Sequence, residues 1–227
     1  MIASCASIQD TRVHVPHQIT PTRQLSLQAR KPTGWIGRVL MTRIFNRGNE
    51  DLNNLTLDQL QLTPDSQVLE LGFGPGQLLS KMAKVVTTGH LTGLDFSPDM
   101  LSVASRANKH AIASGRITLE LGDGNNLPFE PDSFDRICSN NTVYFMKVPS
   151  IYFSEFARVA RPGARICIGF RHAEDMDKLP LENDIFTTYT PERVEQLMTD
   201  AGFVDAQTTI RDGRAMRVCV SSARLPN

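Results

Sequence analysis

Three short segments of this 227-residue chain carry acids and glycines at a spacing that could do chemistry together. The first reads Glu70-Leu71-Gly72-Phe73-Gly74-Pro75-Gly76. Its glycines let a backbone turn sharply and let a ligand approach with no Cβ in the way. The second is Asp95, 19 residues after Gly76 at the end of the next apolar run. A carboxylate there can accept both hydroxyls of a ribose. The third is Gly122-Asp123-Gly124, where the side chain can accept from an adenine amine and the backbone amide can reach a ring nitrogen. Each has a plainer reading by itself: a common turn, a cap for the helix opening at Ser97-Pro98, or a turn former. Three such pieces at successive strand ends are harder to explain as scaffolding. They describe a site for an adenosine with something charged attached.

The charge decides between adenosine cofactors. A dinucleotide fingerprint needs G-x-G-x-x-G, and its third glycine would fall at position 77, which is Gln77. The spacing present is G-x-G-x-G, with Glu70 two residues upstream of Gly72. A pyrophosphate has no use for an acid there, whereas an amino group or a sulfonium does. The balance moves from a nicotinamide dinucleotide toward S-adenosylmethionine. The helix that follows would add backbone amides suited to an anionic group such as a carboxylate.

Alternating elements must position these pieces. Apolar runs at Val68–Leu71, Leu91–Leu94, Ile117–Leu121, Phe134–Ser139 and Ala164–Phe170 read as buried strands. Helical spacing spans 76–86, 98–114, 150–159 and 191–201, with Pro98 suited to a first turn and Gly202 to a stop. Strands alternating with crossover helices imply a parallel sheet covered on both faces. Val204–Ile210 and Met216–Ser221 around Asp212-Gly213 imply a closing hairpin, hence one antiparallel strand. Ahead of the sheet, residues 34–45 and 52–62 read as two helices. The expected organisation is an extension over 1–30, a helical lid over 31–62 and the catalytic domain over 63–227.

Composition bounds the function. Basic and acidic residues number 24 each, so the even balance argues against a dedicated nucleic-acid binder. Seven of the basic residues but one acid lie in 1–47, a basic leader that fits a solvated tail, a contact with an anionic surface or an organellar transit segment. No apolar run approaches the roughly 20 residues of a membrane helix. Cys5, Cys138, Cys167 and Cys219 form no C-x-x-C pair, and the five histidines show no metal-ligand spacing. The expectation is a cytoplasmic protein without a metal, import by the leader remaining open.

At this point the chain resembles class I S-adenosylmethionine-dependent methyltransferases. VLELGFGPG (68–76), LTGLDFSPDML (91–101), LELGDGNNLPFEPDSFDRI (119–137) and ARVARPGARICIGF (157–170) look like that family's successive motifs. They are most similar to its small-molecule members of the ubiquinone-biosynthesis type, over about residues 35–210. The resemblance implies a three-layer, doubly wound Rossmann-like α/β fold, seven strands with the last antiparallel, and a helical lid at the N-terminus. It implies Glu70, Gly72, Gly74 and Gly76 at the methionine end, Asp95 on the ribose, and Phe96 and Met100 beside the adenine. It places Asp123 and Gly124 on the adenine and Asn140 at the methionine moiety. Ala164 departs from a glycine common in relatives, which affects a turn.

Methyl transfer from a sulfonium is an in-line displacement, so alignment and water exclusion matter more than a base. Asn140-Asn141-Thr142-Val143-Tyr144-Phe145 lacks the N/D-P-P-Y/F signature of methyltransferases acting on amines of bases and glutamine. Tyr144 can line the acceptor pocket or simply pack beneath a lid. His172 is a candidate base, or an exposed loop histidine, and Arg171 can meet an anionic acceptor, or solvent. Trp35, Arg43, Asn46, Arg47 and Asn49 are the lid residues suited to the cleft, against the simpler reading of a core anchor and a capped turn. The expected activity is methylation of O, N or C of a small metabolite. The alternatives are a non-catalytic cofactor-binding partner protein, a nicotinamide reductase, and a protein or RNA methyltransferase that uses the basic leader.

Overall fold

A computed structural model describes residues 49–179 and 186–227. Helices and strands alternate along most of that span. Helix α1 (Glu50–Leu60) leads to β1 (Gln67–Leu71), α2 (Gln77–Met82), β2 (His90–Asp95), α3 (Pro98–Ala107), α4 (Lys109–Ala113) and β3 (Ile117–Leu121). After a long connection come β4 (Phe134–Asn140), α5 (Pro149–Val159), β5 (Ala160–Arg171) and the short α6 (Ala173–Met176). Helix α7 (Pro191–Asp200) and the hairpin β6 (Val204–Arg211) and β7 (Val218–Arg224) end the chain. The expected lid helix over 34–45, the extension over 1–30 and Trp35, Arg43, Asn46 and Arg47 lie outside the described residues.

The seven strands form one sheet in the order β3-β2-β1-β4-β5-β7-β6, with β7 antiparallel to both of its neighbours. Side chains alternate across it. Leu69, Leu71, Ile137, Ile166, Ile168 and Phe170 join the core beneath α5 and α7. Val68, Cys138, Cys167, Val218 and Val220 join the opposite core with α1, α2 and α3. The strand order reverses between β1 and β4, which opens a crevice at their carboxyl ends, where such sheets bind ligands.

One local difference from the sequence reading has a clear cause. The single helix expected over 98–114 is two, interrupted at Asn108. The Asn108 side chain donates to Ala104 O (3.0 Å) and to Gly76 O (3.1 Å), so it competes with the helical ladder and ties α3 to the first glycine loop. Helix α1 lies within the 31–62 span and turns its leucines inward, as its spacing suggests. Leu52, Leu55 and Leu60 are fully buried, and the helix packs on β4, β5 and β7.

Candidate functional site

The β1–α2 loop is shaped by its glycines. Gly72, Gly74 and Gly76 have φ of 75°, 50° and 77°, a region that side chains other than glycine's rarely adopt. A Cβ on Gly72 would collide with Thr142 Oγ1. The loop therefore folds back against the chain leaving β4, with a bare backbone face on the crevice. Gly74 N–H donates to Asp95 Oδ2 at 2.8 Å, and Ser97 N–H donates to Asp95 Oδ1 at 2.9 Å. Asp95 thus clasps the first two loops together while facing the cavity.

That cavity measures about 330 Å³. At its β1–β2 end stand Glu70, Gly72, Gly74, Asp95, Phe96 and Met100. At the other end stand Tyr144, Phe145, Arg171, Met176, Phe186 and Met216, with Asn49, Asn53, Asn140 and Asn141 along one side. A smaller adjoining pocket shares Gly72, Asp95, Phe96, Thr142 and Phe145, and is completed by Asp123, Gly124 and Tyr152. The sequence-derived residues Glu70, Gly72, Gly74, Asp95, Phe96, Met100, Asp123, Gly124, Asn140, Tyr144, Arg171 and Asn49 come together here.

Two sequence-derived residues do not reach these walls. Gly76 is absent from both linings; a Cβ there would stand 2.6 Å from Asn108 Nδ2, so it serves close approach of the loop to α3. His172 is likewise off both linings. It caps α6, and its buried Nδ1 has no hydrogen-bond partner, with Glu174 at 4.0 Å.

Electrostatics differ along the cavity. Glu70 Oε2 is buried without a hydrogen-bond partner. Burial first, then the charge of Asp95, holds the Glu70 carboxyl well above the usual range, against a bond from the Leu79 N–H. Asp95 is pushed up by burial as well. A cation beside these groups would replace lost solvation, because an uncompensated buried carboxylate is costly. Asp123 is held differently: its Oδ1 accepts from Tyr152 hydroxyl at 2.9 Å. At the far end the Tyr144 hydroxyl accepts from the Arg171 N–H and lies 3.4 Å from Asn141 Oδ1. Burial drives the Tyr144 phenol above its ordinary pKa, so it stays protonated at neutral pH.

Asn53 was the least foreseeable part. Asn140 carries a network of its own. Its Nδ2 donates to Asn53 Oδ1 (3.0 Å) and its Oδ1 accepts from Thr56 hydroxyl (2.9 Å). Asn141, at φ 55°, donates from Nδ2 to Asn49 Oδ1 at 3.0 Å. Asn53, Thr56 and Asn141 thus fasten α1 to the end of β4. The run Asn140-Asn141-Thr142 was the available signal, since asparagine tolerates positive φ and bonds backbone and neighbours alike. Among the described residues no cluster of His, Cys, Asp and Glu could hold a metal, and no helix is long and apolar enough to cross a membrane.

With this geometry in view, similarity to known proteins is informative. Residues 69–168 match a family described as a methyltransferase domain. Uncharacterized methyltransferase YdaC of Bacillus subtilis is 27% identical over 180 residues, covering 78% of this chain and 93% of that protein. The ubiquinone/menaquinone biosynthesis C-methyltransferase UbiE of Geotalea daltonii is 25% identical over 130 residues, 56% of this chain and 55% of that one. The first curated relatives are matched unevenly, this chain spanning from 36% to 93% of their length. A solved S-adenosylmethionine-dependent methyltransferase from Aquifex aeolicus shares the fold, with a TM-score of 0.69 and 20% identity, covering 83% of this chain and 98% of that one. Fold, matched domain and relatives agree with the acid-and-glycine rim: the chain carries a methyltransferase domain of the class I S-adenosylmethionine-dependent type.

Proposed function

We propose that this chain transfers a methyl group from S-adenosylmethionine to a small-molecule acceptor seated at the β4–β5 end of the cavity. The observation that carries the reading is the Glu70 carboxylate oxygen, buried on the cavity wall with no partner. Bound there, the cofactor would supply a methyl group already activated by its sulfonium. Glu70 would hold its cationic amino-acid end, with Gly72 and Gly74 offering close backbone approach. Asp95 has unused lone pairs for ribose hydroxyls, Phe96 and Met100 flank the adenine, and Asp123 with Gly124 borders the adjoining pocket.

The chain's own contribution is alignment and dryness. Phe145, Phe186, Met176 and Met216 exclude water from the acceptor end. Tyr144 holds the end of β5 through the Arg171 amide, which suits a positioning residue better than a base. UbiE and YdaC, the relatives above, carry the methyltransferase name, and the acceptor atom of this chain is read from neither.

The test is calorimetry of the full chain with S-adenosylmethionine and S-adenosylhomocysteine, then formation of S-adenosylhomocysteine with a panel of small acceptors. Binding heat with turnover is expected. Absence of heat for both compounds overturns the reading, and heat without turnover on any acceptor favours a non-catalytic binding module.

A further inference from the structure

Helix α1 meets the end of β4 through two parallel amide pairs. Asn140 Nδ2 donates to Asn53 Oδ1, and Asn141 Nδ2 donates to Asn49 Oδ1, each at 3.0 Å. Asn49 and Asn53 stand four residues apart, so they share one face of the helix. Both line the cavity. An amide side chain offers one oxygen and two N–H donors. With the oxygens held from β4, the NH2 groups are what the pair has left to offer.

Their partners set the orientation. The Thr56 hydroxyl donates to Asn140 Oδ1 at 2.9 Å, which leaves Asn140 Nδ2 to face Asn53. Asn49 Oδ1 accepts a second bond, from Arg171 Nη2 at 3.4 Å, which an NH2 group could not do. Asn53 is only 6% exposed, yet its Nδ2 has no hydrogen-bond partner among the described residues. That nitrogen is not sealed in the core, so it opens onto the cavity. Asn49 is also the N-cap of α1, and its side chain makes no capping bond. The positive end of an 11-residue helix therefore backs the same spot. The acids of that first turn are engaged elsewhere: Glu50 pairs with Arg214 at 3.3 Å, and Asp51 Oδ2 accepts from the Arg214 N–H at 3.0 Å.

These donors stand beside Glu70. Glu70 pairs in register with Cys138, so Asn140 lies one strand over and two residues along, on the same sheet face. That is roughly 5 Å across and about 7 Å along. Donors that suit an anion thus adjoin a carboxyl oxygen that suits a cation. Neighbouring sites of opposite preference match a zwitterion.

Resting on the methyltransferase reading above, we propose that Asn49 and Asn53 hold the α-carboxylate of the cofactor's amino-acid end while Glu70 takes its ammonium. Helix α1 is then a wall of the cofactor site, and the pairs Asn140–Asn53 and Asn141–Asn49 keep its amides aimed.

The test compares S-adenosylhomocysteine with its decarboxylated analogue, in which hydrogen replaces the carboxylate. Each is titrated calorimetrically into the full chain. The parent should bind the carboxylated compound about tenfold or more tightly. Asn53→Asp keeps the oxygen that Asn140 needs and puts a second oxygen in place of the NH2. It should cut that ratio to about twofold or invert it, with affinity for the decarboxylated compound within about threefold of the parent's. Asn49→Asp should move the ratio the same way. Purely structural amide pairs would weaken both compounds alike and leave the ratio in place, which overturns the proposal. Equal binding of the two compounds by the parent overturns it without any variant. Benzoate that binds the S-adenosylhomocysteine-loaded parent but not loaded Asn53→Asp, with the ratio unmoved, would give the amides to an acceptor's carboxylate instead. If Asn53→Asp does not fold, Asn49→Asp and the parent ratio decide. Should the parent bind neither adenosine compound, the cofactor reading falls and this assignment with it, whereas binding without a carboxylate preference removes only the asparagines' role.

Discussion

The two ends of the cavity are made of different material. The β1–β2 end is backbone and acid: left-handed glycines, a carboxylate clasping two loops, and a second carboxyl with one oxygen buried without a partner. The β4–β5 end is side chains: an aromatic cluster, two methionines, an asparagine network and one buried guanidinium. A backbone cradle tolerates little substitution, because its shape depends on dihedral angles only glycine accepts at low cost. A side-chain wall can be rebuilt residue by residue, which suits an end that must match a particular acceptor.

If that contrast is right, the largest effect belongs to Gly72→Ala. The substitution imposes φ of 75° on a residue with a Cβ and drives that Cβ against Thr142. The backbone strain alone costs about 1–3 kcal/mol, and calorimetry should show cofactor affinity falling beyond detection as the loop shifts. Adding Thr142→Ala should relieve the collision but not the dihedral strain, so melting recovers in part. A single variant that melts and binds like the parent would remove the backbone cradle from the account.

Asp95→Ala comes next. Both loops lose an acceptor for a backbone N–H, and a ribose would lose its partner. Cofactor affinity should drop by about 1–3 kcal/mol, measured by titration with S-adenosylhomocysteine. Unchanged affinity would confine Asp95 to loop architecture.

Glu70→Gln separates stability from binding. The parent carboxyl has a raised pKa in the folded chain, so its contribution to stability is fully present below the ordinary carboxylate range. That contribution is lost as pH rises through the raised value. Asp95, raised by burial too, acts in the same sense. The ligand-free parent should therefore melt higher at mildly acidic than at neutral pH. The glutamine variant should lose part of that dependence and melt above the parent at neutral pH. Its cofactor affinity should nevertheless fall about tenfold, near 1.4 kcal/mol. A variant weaker in both respects would mean that Glu70 is a scaffold acid with no cation to meet.

The same contrast explains what could be read from the chain alone. The acid-and-glycine end sits in contiguous stretches, 70–76 and 95–100, so residue type and spacing suffice to reveal it. The hairpin and the seven-stranded sheet followed from alternation and from the resemblance. The acceptor end is assembled by topology from Asn49, Tyr144, Arg171, Phe186 and Met216, which share no local pattern. Arg171 and Tyr144 were visible as polar groups after strand ends, but Phe186 and Met216 were indistinguishable from ordinary core residues. His172 carried the chemistry of a base but lies off both linings, at the turn between β5, which ends one residue earlier, and α6. Asn108 and Gly76 show the reverse: their partnership crosses 32 residues of sequence, so a helix break that is obvious in space looked like continuous helix.

The smallest expected effect on cofactor affinity falls on the side-chain end. Tyr144→Phe removes the hydroxyl that accepts from the Arg171 N–H and leaves that buried donor without it. Stability should fall by about 1–3 kcal/mol, the cost of an unsatisfied buried donor. Cofactor affinity should stay within about twofold, since nothing at the β1–β2 end changes. The phenol is driven upward in pKa by burial, so it cannot take a proton at neutral pH. The pH profile of turnover should therefore keep its shape in the variant while its height falls modestly as Arg171 loosens. The loss of an ionisation from that profile would instead make Tyr144 a participant in proton transfer. A cofactor affinity that collapsed with Tyr144 would show that the two ends of the cavity are one rigid unit.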